Sequence, residues 1–371
     1  TVAFAKEVSI ASDFLIYCVP LEKLEQIVSE IFSFVKKNAI ISGIASVKSI
    51  ELELFKKFFP EHEIILFHSL HGPSVNPKNQ FHVLVNHNSS IESIEKTKSI
   101  LNCLSTKIID FSSCEEHDKI MADVQALTHL GFESMGSAWK NCGFFPWENP
   151  CYVGGIDNVK ILLTLRIFSA KAHIYSGLAI MNPFAVEQVK QYSKSVSELF
   201  KLIIQGNELE FRERILQAGK FVFNSDSSFI LLDDKLLGEF NLGINSSKRK
   251  PNSHLSLLAM VDAWHQLKIN PYKNLVCHTP PFKLRLGIAE YLFKNKDLLE
   301  ESIQAALHDK SIRGDDLEFY TSVREWSLII ENKDLFGYEK KFNETKYFFN
   351  DRLDSALQKS NELINKLTIK H

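Results

Sequence analysis

The chain has 371 residues, of which 45% are hydrophobic and 24% charged, the usual balance of a globular protein long enough for two domains. Its formal net charge of −2 gives no reason to expect binding to nucleic acid or to a membrane surface. No apolar run reaches the roughly 18 residues that a membrane span needs, and the six cysteines show neither a CxxC pair nor zinc-finger spacing. We therefore expect a cytoplasmic protein with reduced thiols and no metal centre.

Residues 13–112 alternate between short apolar runs and segments with a helical apolar stripe. The pattern predicts strands at 13–19, 39–42, 63–68, 82–86 and 107–112, and helices at 21–35, 47–58 and 91–104. This β-α-β-α-β-β-α-β order favours a mostly parallel, doubly wound sheet. Ligands of such sheets bind at the carboxyl ends of strands, so the residues that follow each strand are the candidates for a site.

After residue 113 the strand pattern ends and only helices are predicted. One long helix is expected over 115–141 and an apolar one over 154–181. Further helices are predicted at 184–205, 207–222, 228–240, 253–268, 283–294, 297–308, 314–331 and 338–367. The sequence thus predicts an α/β domain over 1–113, with an incomplete Rossmann-like sheet, and an all-α domain over 114–371.

The helix predicted for 115–141 carries a polar face with small residues. Its members within a wedge of about 60° are Asp118, Ala122, Gln125, His129 and Gly136. A histidine and a glutamine one turn apart, with alanine and glycine beside them, suit a ligand better than a core. The alternative is a polar helix face turned to water or to a partner helix.

Two candidate residues follow predicted strands. His68, in HSLHGP, could present a ring nitrogen to a substrate as a base near neutral pH, or be a structural histidine. Ser46 could bond a cofactor, a substrate hydroxyl or His68, or act as the N-cap of the next helix. With Val19 and Pro20 after the first strand, Ser46 is also a candidate for cofactor contact.

Arg166 lies within ILLTLRIFSAKAHIY, where apolar residues surround it. A guanidinium does not lose its proton in a protein, so this charge on an apolar helix face needs an anion. The anion is either a protein carboxylate or the carboxylate of a substrate held by a bidentate pair.

The chain has no G-x-G-x-x-G motif, although its sheet is of the type that binds dinucleotides. It begins at Thr1 and its first clear element is already an interior strand. We therefore expect the first strand and the glycine-rich turn of the Rossmann domain to lie upstream of Thr1.

Six stretches distributed through the chain are similar to those of one enzyme family. They are HSLHGP (68–73), EEHDKIMADVQALTH (115–129), FPWE (145–148), GGIDNVKILLTLRIFS (154–169), PNSHLSLLAMVDAW (251–264) and HDKSIRGDDLEF (308–319). On these residues the chain resembles the prephenate dehydrogenases, and specifically the fungal type.

The resemblance implies a Rossmann domain followed by a helical domain like that of 6-phosphogluconate dehydrogenase, through which the protein forms a homodimer. It implies oxidative decarboxylation of prephenate to 4-hydroxyphenylpyruvate in tyrosine biosynthesis, with NADP as the cofactor and NAD as the alternative. His68 is implied as the catalytic histidine at the ring hydroxyl, with Ser46 supporting it beside the nicotinamide. The implied substrate contacts are Gln125, His129, Arg166 and Tyr175.

Two other interpretations remain open from the sequence. One is a different dehydrogenase of the same architecture, acting on arogenate or on a β-hydroxyacid. The other is an inactive helical dimerisation module, because the glycine-rich cofactor turn is absent from the printed chain.

Overall fold

The structure is a computed structural model that describes residues 4–72, 75–149, 152, 154–223, 232, 237–238, 251–274 and 279–370. Contacts divide the chain into two units. Unit 1 comprises residues 1–122 and 177–184, and unit 2 comprises residues 123–176 and 185–371. None of the described helices combines the length and apolarity that crossing a membrane requires. The helix predicted for 228–240 lies almost entirely outside the described residues.

Unit 1 contains a five-stranded sheet, with the strands close to their predicted positions. They are β1 (Phe14–Tyr17), β2 (Ile40–Gly43), β3 (Ile65–Ser69), β4 (Phe81–Asn86) and β5 (Lys107–Phe111). β1 pairs with β2 and β4 with β5 in parallel, whereas β3 and β4 are antiparallel. A parallel bridge between Ile41 and Ile64 joins β2 to β3. The mostly parallel sheet is confirmed, and its described strands follow chain order without the reversal that a doubly wound sheet has.

Helices cover the sheet because β2 and most of β3 and β4 are apolar on both faces. The helices of unit 1 are α1 (Ala5–Ala11), α2 (Leu21–Ile31), α3 (Lys48–Phe58), α4 (Ile91–Asn102) and α5 (Cys114–Met121). Ile65, Phe67 and Leu84 pack with Leu101 of α4 in one core cluster. Side chains alternate along a strand, so His68 of β3 points to the opposite face of the sheet.

The prediction of one helix over 115–141 was wrong. α5 ends at Met121, a π-helical turn occupies Ala122–Ala126, and α6 runs over Leu127–Cys142. A π turn changes the angular position of everything after it, so the predicted polar wedge is interrupted. Asp118 belongs to unit 1 and His129 to unit 2. A Cβ on Gly136 would overlap Cε2 of Phe168, so this glycine makes room for a core ring and not for a ligand.

Two more predicted helices are also interrupted. Residues 154–181 form α7 (Ile156–Ser169), α8 (His173–Ser176) and a π-helical turn at Gly177–Met181. Lys346 donates a 2.8 Å hydrogen bond to the carbonyl oxygen of Ala170, where the backbone is extended after α7. Residues 338–367 fall into α15 (Leu335–Phe348) and α16 (Asn350–Lys370). Neither break contains proline or glycine, which is why the apolar pattern passed over both.

The other helices of unit 2 agree with prediction to within a few residues. They are α9 (Ala185–Gln205), α10 (Glu208–Val222), α11 (Leu255–Gln266), α12 (Pro280–Lys294), α13 (Lys296–His308) and α14 (Arg313–Glu331). α7 and α11 are buried around almost their whole circumference, as expected of apolar helices at the centre of an all-α domain. The predicted class, an α/β part followed by an all-α part, is confirmed.

Candidate functional site

His68 lies near the carboxyl end of β3, as predicted, with only 9% of its surface exposed. Its Nδ1 is 3.0 Å from Nε2 of His117 in α5, and the two rings meet edge to face. Its Nε2 has no hydrogen-bond partner in the part of the chain that the structure describes. Burial, followed by the neighbouring His117, lowers the pKa of His68 well below its usual value, so the ring is a neutral base at pH 7.

Asp118 is the buried carboxylate behind His117. Its Oδ1 lies 2.8 Å from Nδ1 of His117 and accepts the Lys48 backbone N–H at 2.7 Å, while Oδ2 accepts the Ser49 N–H at 2.8 Å. Burial raises the pKa of Asp118, but the hydrogen bonds from His117, Ser49 and Lys48 outweigh it and lower the pKa overall. The carboxylate therefore caps α3 from a distant helix.

The Ser46 hydroxyl is not the N-cap of α3, so that alternative was wrong. The cap position is Val47, which makes no side-chain cap bond, because the Asp118 carboxylate binds the free N–H groups of the first turn. Ser46 is half-buried in the β2–α3 turn, and its hydroxyl has no hydrogen bond to the described residues. It remains a candidate to bond a cofactor or a substrate.

A buried ion pair holds the turn that carries Ser46. Nζ of Lys48 is 2.6 Å from Oε2 of Glu51 and 3.1 Å from the carbonyl oxygen of Gly43. The other carboxylate oxygen of Glu51 accepts the Ala45 N–H at 3.0 Å. A Cβ on Gly43 would overlap Oε1 of Glu51, so only glycine fits there. This pair fixes the backbone between β2 and α3.

Val19 and Pro20 follow β1, next to the end of the parallel strand β2. Tyr17 pairs with Gly43, and the Ile44 N–H donates to the carbonyl oxygen of Tyr17 at 3.3 Å. Val19 and Pro20 are half-buried, and Pro20 occupies the N-cap position of α2. Both therefore lie at the edge of the sheet where the parallel strands β1 and β2 end, which is where the sequence placed the cofactor contacts.

His129 and Tyr175 meet in unit 2, as the predicted substrate contacts would. Their rings are edge to face with centroids 4.8 Å apart, and Phe282 lies 5.7 Å from the imidazole. Burial, and then the charge of Arg285, lower the pKa of His129 well below its usual value. Gln125 lies half-buried in the π-helical turn, with its carbonyl oxygen accepting a 3.3 Å bond from the Thr128 hydroxyl.

Arg166 is not paired with a carboxylate among the described residues. It is half-buried near the end of α7 and donates a hydrogen bond to the side-chain oxygen of Asn361. Burial lowers its pKa, and Tyr175 is the neighbouring group that acts on its charge. The half-buried guanidinium is therefore available to an anion from outside the chain.

Arg285 of α12 is a second guanidinium that the sequence analysis missed. It is 4% exposed, donates a 3.2 Å hydrogen bond to the Thr128 hydroxyl, and lies 4.4 Å from the ring centroid of Phe282. Its Nε is buried without a hydrogen-bond partner. Burial lowers its pKa to about 10. The signal was the one used for Arg166, a single arginine among apolar residues in PPFKLRLGIAEYLF.

Glu133 is the carboxyl group closest in effect to this cluster. Its Oε1 accepts a 2.6 Å hydrogen bond from the Tyr338 hydroxyl, and Oε2 is buried without a partner. Burial raises its pKa to about 8, against the opposing effects of Tyr338 and Arg285. Glu133 is therefore mostly a neutral acid at pH 7, and it does not cancel the positive charges of Arg166 and Arg285.

Comparison with known proteins identifies the family. A family model described as a 6-phosphogluconate dehydrogenase C-terminal domain matches residues 126–369. A probable prephenate dehydrogenase [NADP(+)] of Schizosaccharomyces pombe is 42% identical over 97% of this chain and 85% of its own length. The prephenate dehydrogenase [NADP(+)] of Saccharomyces cerevisiae is 44% identical over 97% of this chain and 82% of its own.

One solved structure is similar at lower identity, the prephenate dehydrogenase from Aquifex aeolicus. It is 14% identical, with a TM-score of 0.41 over 57% of this chain and 77% of that one. The assignment rests on the family model and on the two fungal relatives, which this chain matches almost from end to end. The chain belongs to the prephenate dehydrogenase family.

Proposed function

We propose that this chain oxidatively decarboxylates prephenate to 4-hydroxyphenylpyruvate with NADP, a step of tyrosine biosynthesis. The observation that carries the proposal is the pair of guanidiniums in unit 2, Arg166 and Arg285, neither of which is paired with a carboxylate among the described residues. Prephenate carries two carboxylates, so two such cations suit it as a ligand. The rings of His129 and Tyr175 would contact the body of the substrate.

The proposed chemistry needs one base and no protein nucleophile. Neutral His68 accepts the proton of the ring hydroxyl at Nε2 as hydride leaves the carbon that bears that hydroxyl. The bond from the ring to its carboxylate then breaks, CO₂ leaves, and the electron pair of that bond completes the aromatic ring. Arg166 and Arg285 hold the substrate during these steps and take no proton themselves.

NADP, when bound, supplies the nicotinamide carbon that accepts the hydride. The adjacent ends of β1 and β2 fit the nicotinamide end of such a cofactor, since Ser46 offers a hydroxyl with no hydrogen bond to the described residues. Val19 and Pro20 would give apolar contact beside it. The printed sequence contains no glycine-rich turn for the pyrophosphate, so these residues are assigned to the ring end of the cofactor only.

Arogenate is the second candidate substrate, and Glu133 bears on the choice. Arogenate carries an ammonium where prephenate has a keto group, so its receptor needs a carboxylate. The pKa of Glu133, raised to about 8 by burial, leaves this group largely neutral at pH 7. We therefore expect kcat/KM for prephenate to exceed that for arogenate, and the reverse order would assign the enzyme to arogenate.

We also propose a cytoplasmic homodimer formed through the helical domain. Several large apolar side chains of unit 2 are exposed in the single chain, among them Phe336 and Tyr347 at 78% and 84%. Exposed groups of this kind are common at interfaces between subunits. Light scattering on the purified protein tests the proposal, and the mass of a single chain would contradict it.

The direct test of function is prephenate-dependent reduction of NADP, followed by absorbance. His68→Asn should lower kcat by roughly 10²–10⁴-fold, the usual contribution of a general base, with little change in KM. His82→Asn is the matched control, because His82 is also a buried histidine but pairs with Ser69 and so lies on the opposite face of the sheet. Unchanged kcat in His68→Asn would remove His68 from its proposed role.

A further inference from the structure

We propose that His117 and Asp118 are positioning residues that fix the tautomer of His68, so that its Nε2 carries the free lone pair. The inference rests on the proposed role of His68 as the base and extends it to two residues that do not touch the substrate. The observation behind it is a continuous buried chain of three groups within unit 1. Nδ1 of His68 lies 3.0 Å from Nε2 of His117, and Nδ1 of His117 lies 2.8 Å from Asp118.

The direction of each hydrogen bond follows from the Asp118 end. Oδ1 and Oδ2 of Asp118 already accept the N–H groups of Lys48 and Ser49, as expected of an ionised carboxylate. An ionised carboxylate only accepts, so Nδ1 of His117 must be the N–H that donates to it. A neutral imidazole has one N–H, which leaves Nε2 of His117 as an acceptor.

The same reasoning passes to the next ring. Since Nε2 of His117 is an acceptor, Nδ1 of His68 must be the donor in the 3.0 Å bond between them. Nε2 of neutral His68 therefore bears a lone pair, and this is the nitrogen without a partner in the described part of unit 1. When Nε2 takes the substrate proton, the positive charge of the ring is stabilised through His117 by Asp118.

Burial makes this chain selective. His117 and Asp118 are both fully buried, so water does not compete for their hydrogen bonds. Burial lowers the pKa of both His68 and His117, which keeps the two rings neutral near pH 7. The other ionisable groups that act on His68 are Lys48, His71 and His82, and each disfavours its protonated form.

The first measurement needs no substrate. ¹⁵N NMR of the full chain, with the ring signals assigned from His68→Asn and His117→Gln, should show His68 protonated at Nδ1 and unprotonated at Nε2. In Asp118→Asn the amide can donate to His117 instead of accepting, and the His68 signals should move toward the opposite tautomer. His68 protonated at Nε2 in the unmodified protein would overturn the inference, whatever the enzyme activity.

The second measurement separates positioning from mere folding. Asp118→Asn should lower kcat by roughly 10²–10⁴-fold, the range seen when a catalytic histidine is held in the wrong tautomer, with little effect on KM. His117→Gln keeps a donor for Asp118 and an acceptor for His68, so it should retain more kcat than His117→Phe. The pH profile of kcat/KM should also change in Asp118→Asn and not in the control His82→Asn.

The outcomes distinguish the two proposals. If the unmodified protein does not reduce NADP with prephenate, the proposed function fails, while the NMR result still stands or falls alone. If prephenate is turned over but His117→Gln and His117→Phe lose kcat equally, His117 acts only as a packed ring and the inference fails. An equal loss of kcat in His82→Asn would attribute the effect to loss of any buried histidine, and would also overturn it.

Discussion

Replacing Arg285 with methionine should stabilise unit 2 and weaken substrate binding at the same time. Burial lowers the pKa of Arg285 to about 10, and its Nε has no hydrogen-bond partner. Relative to an arginine in water, that pKa corresponds to a penalty of about 3 kcal/mol on the charged form in the folded protein. The contacts with Phe282 and Phe132 return about 1–2 kcal/mol of cation–π energy.

Methionine has a similar length, carries no charge and makes favourable contacts with aromatic rings. We therefore expect the free energy of unfolding to rise by about 1–2 kcal/mol, the penalty less the lost cation–π contacts. Loss of one partner from a desolvated charge pair costs roughly 2–5 kcal/mol, so the KM for prephenate should rise by about 30-fold or more. A change that raises stability while it impairs binding is expected where a charge is kept for a ligand.

Arg214 provides the matched control within the same unit. Its guanidinium forms 2.7–2.8 Å hydrogen bonds with Asp262, which is fully buried, and an ion pair with Glu198 at 2.7 Å. Arg214→Met leaves the Asp262 charge uncompensated, so we expect a loss of about 3 kcal/mol of stability and an unchanged KM. The two arginine-to-methionine changes should therefore shift stability in opposite directions.

Urea unfolding followed by tryptophan fluorescence measures the relevant quantity. All four tryptophans, Trp139, Trp147, Trp264 and Trp326, lie in unit 2, so the signal reports on the unit that contains both arginines. Steady-state kinetics on the same preparations give KM. Equal destabilisation in both variants, or an unchanged KM in Arg285→Met, would refute the assignment of Arg285 as an unpaired cation held for the substrate.

Two further predictions concern the stability of unit 2. Gly136→Ala should lower the free energy of unfolding by about 1–3 kcal/mol in urea titrations, because its Cβ would overlap Phe168, whereas Gly314→Ala, in open space on α14, should raise it slightly. Burial raises the pKa of Asp316 to about 7, so folded unit 2 binds a proton that the unfolded chain releases near pH 4, and stability falls as pH rises through this window. Asp316→Asn keeps an acceptor for Ser253, 2.6 Å away, and should be more stable than the unmodified protein by about 2 kcal/mol at pH 8 but not at pH 4.

The strands and most helices were predictable because each has a clear apolar period. The π-helical turns were not, since residues such as those of Ala122–Ala126 are compatible with an ordinary helix. A π turn is identified by its hydrogen-bond spacing, and it has no residue signature of its own. The prediction that Asp118 and His129 share one helix face failed for this reason, although each residue was correctly singled out as unusual.

The charged half of the candidate site could have been predicted more fully than it was. Arg166 and Arg285 present the same signal, a lone arginine on an apolar helix. Glu133 and Tyr338, in contrast, are separated by 205 residues and meet only in the folded helical domain. The neutral state of Glu133 depends on that burial, so the sequence could not have predicted which charges remain unbalanced.

The contact between His68 and His117 spans 49 residues and needs the fold to bring it about, but its consequence reaches beyond one hydrogen bond. Asp118 binds His117 through the same carboxylate that caps α3, and α3 begins directly after the turn that carries Ser46. The tautomer of the proposed base and the backbone of the proposed cofactor turn therefore depend on one buried charge. Because both functions share this carboxylate, a substitution at Asp118 should disturb them together, whereas a substitution at His117 should separate them by leaving the α3 cap intact.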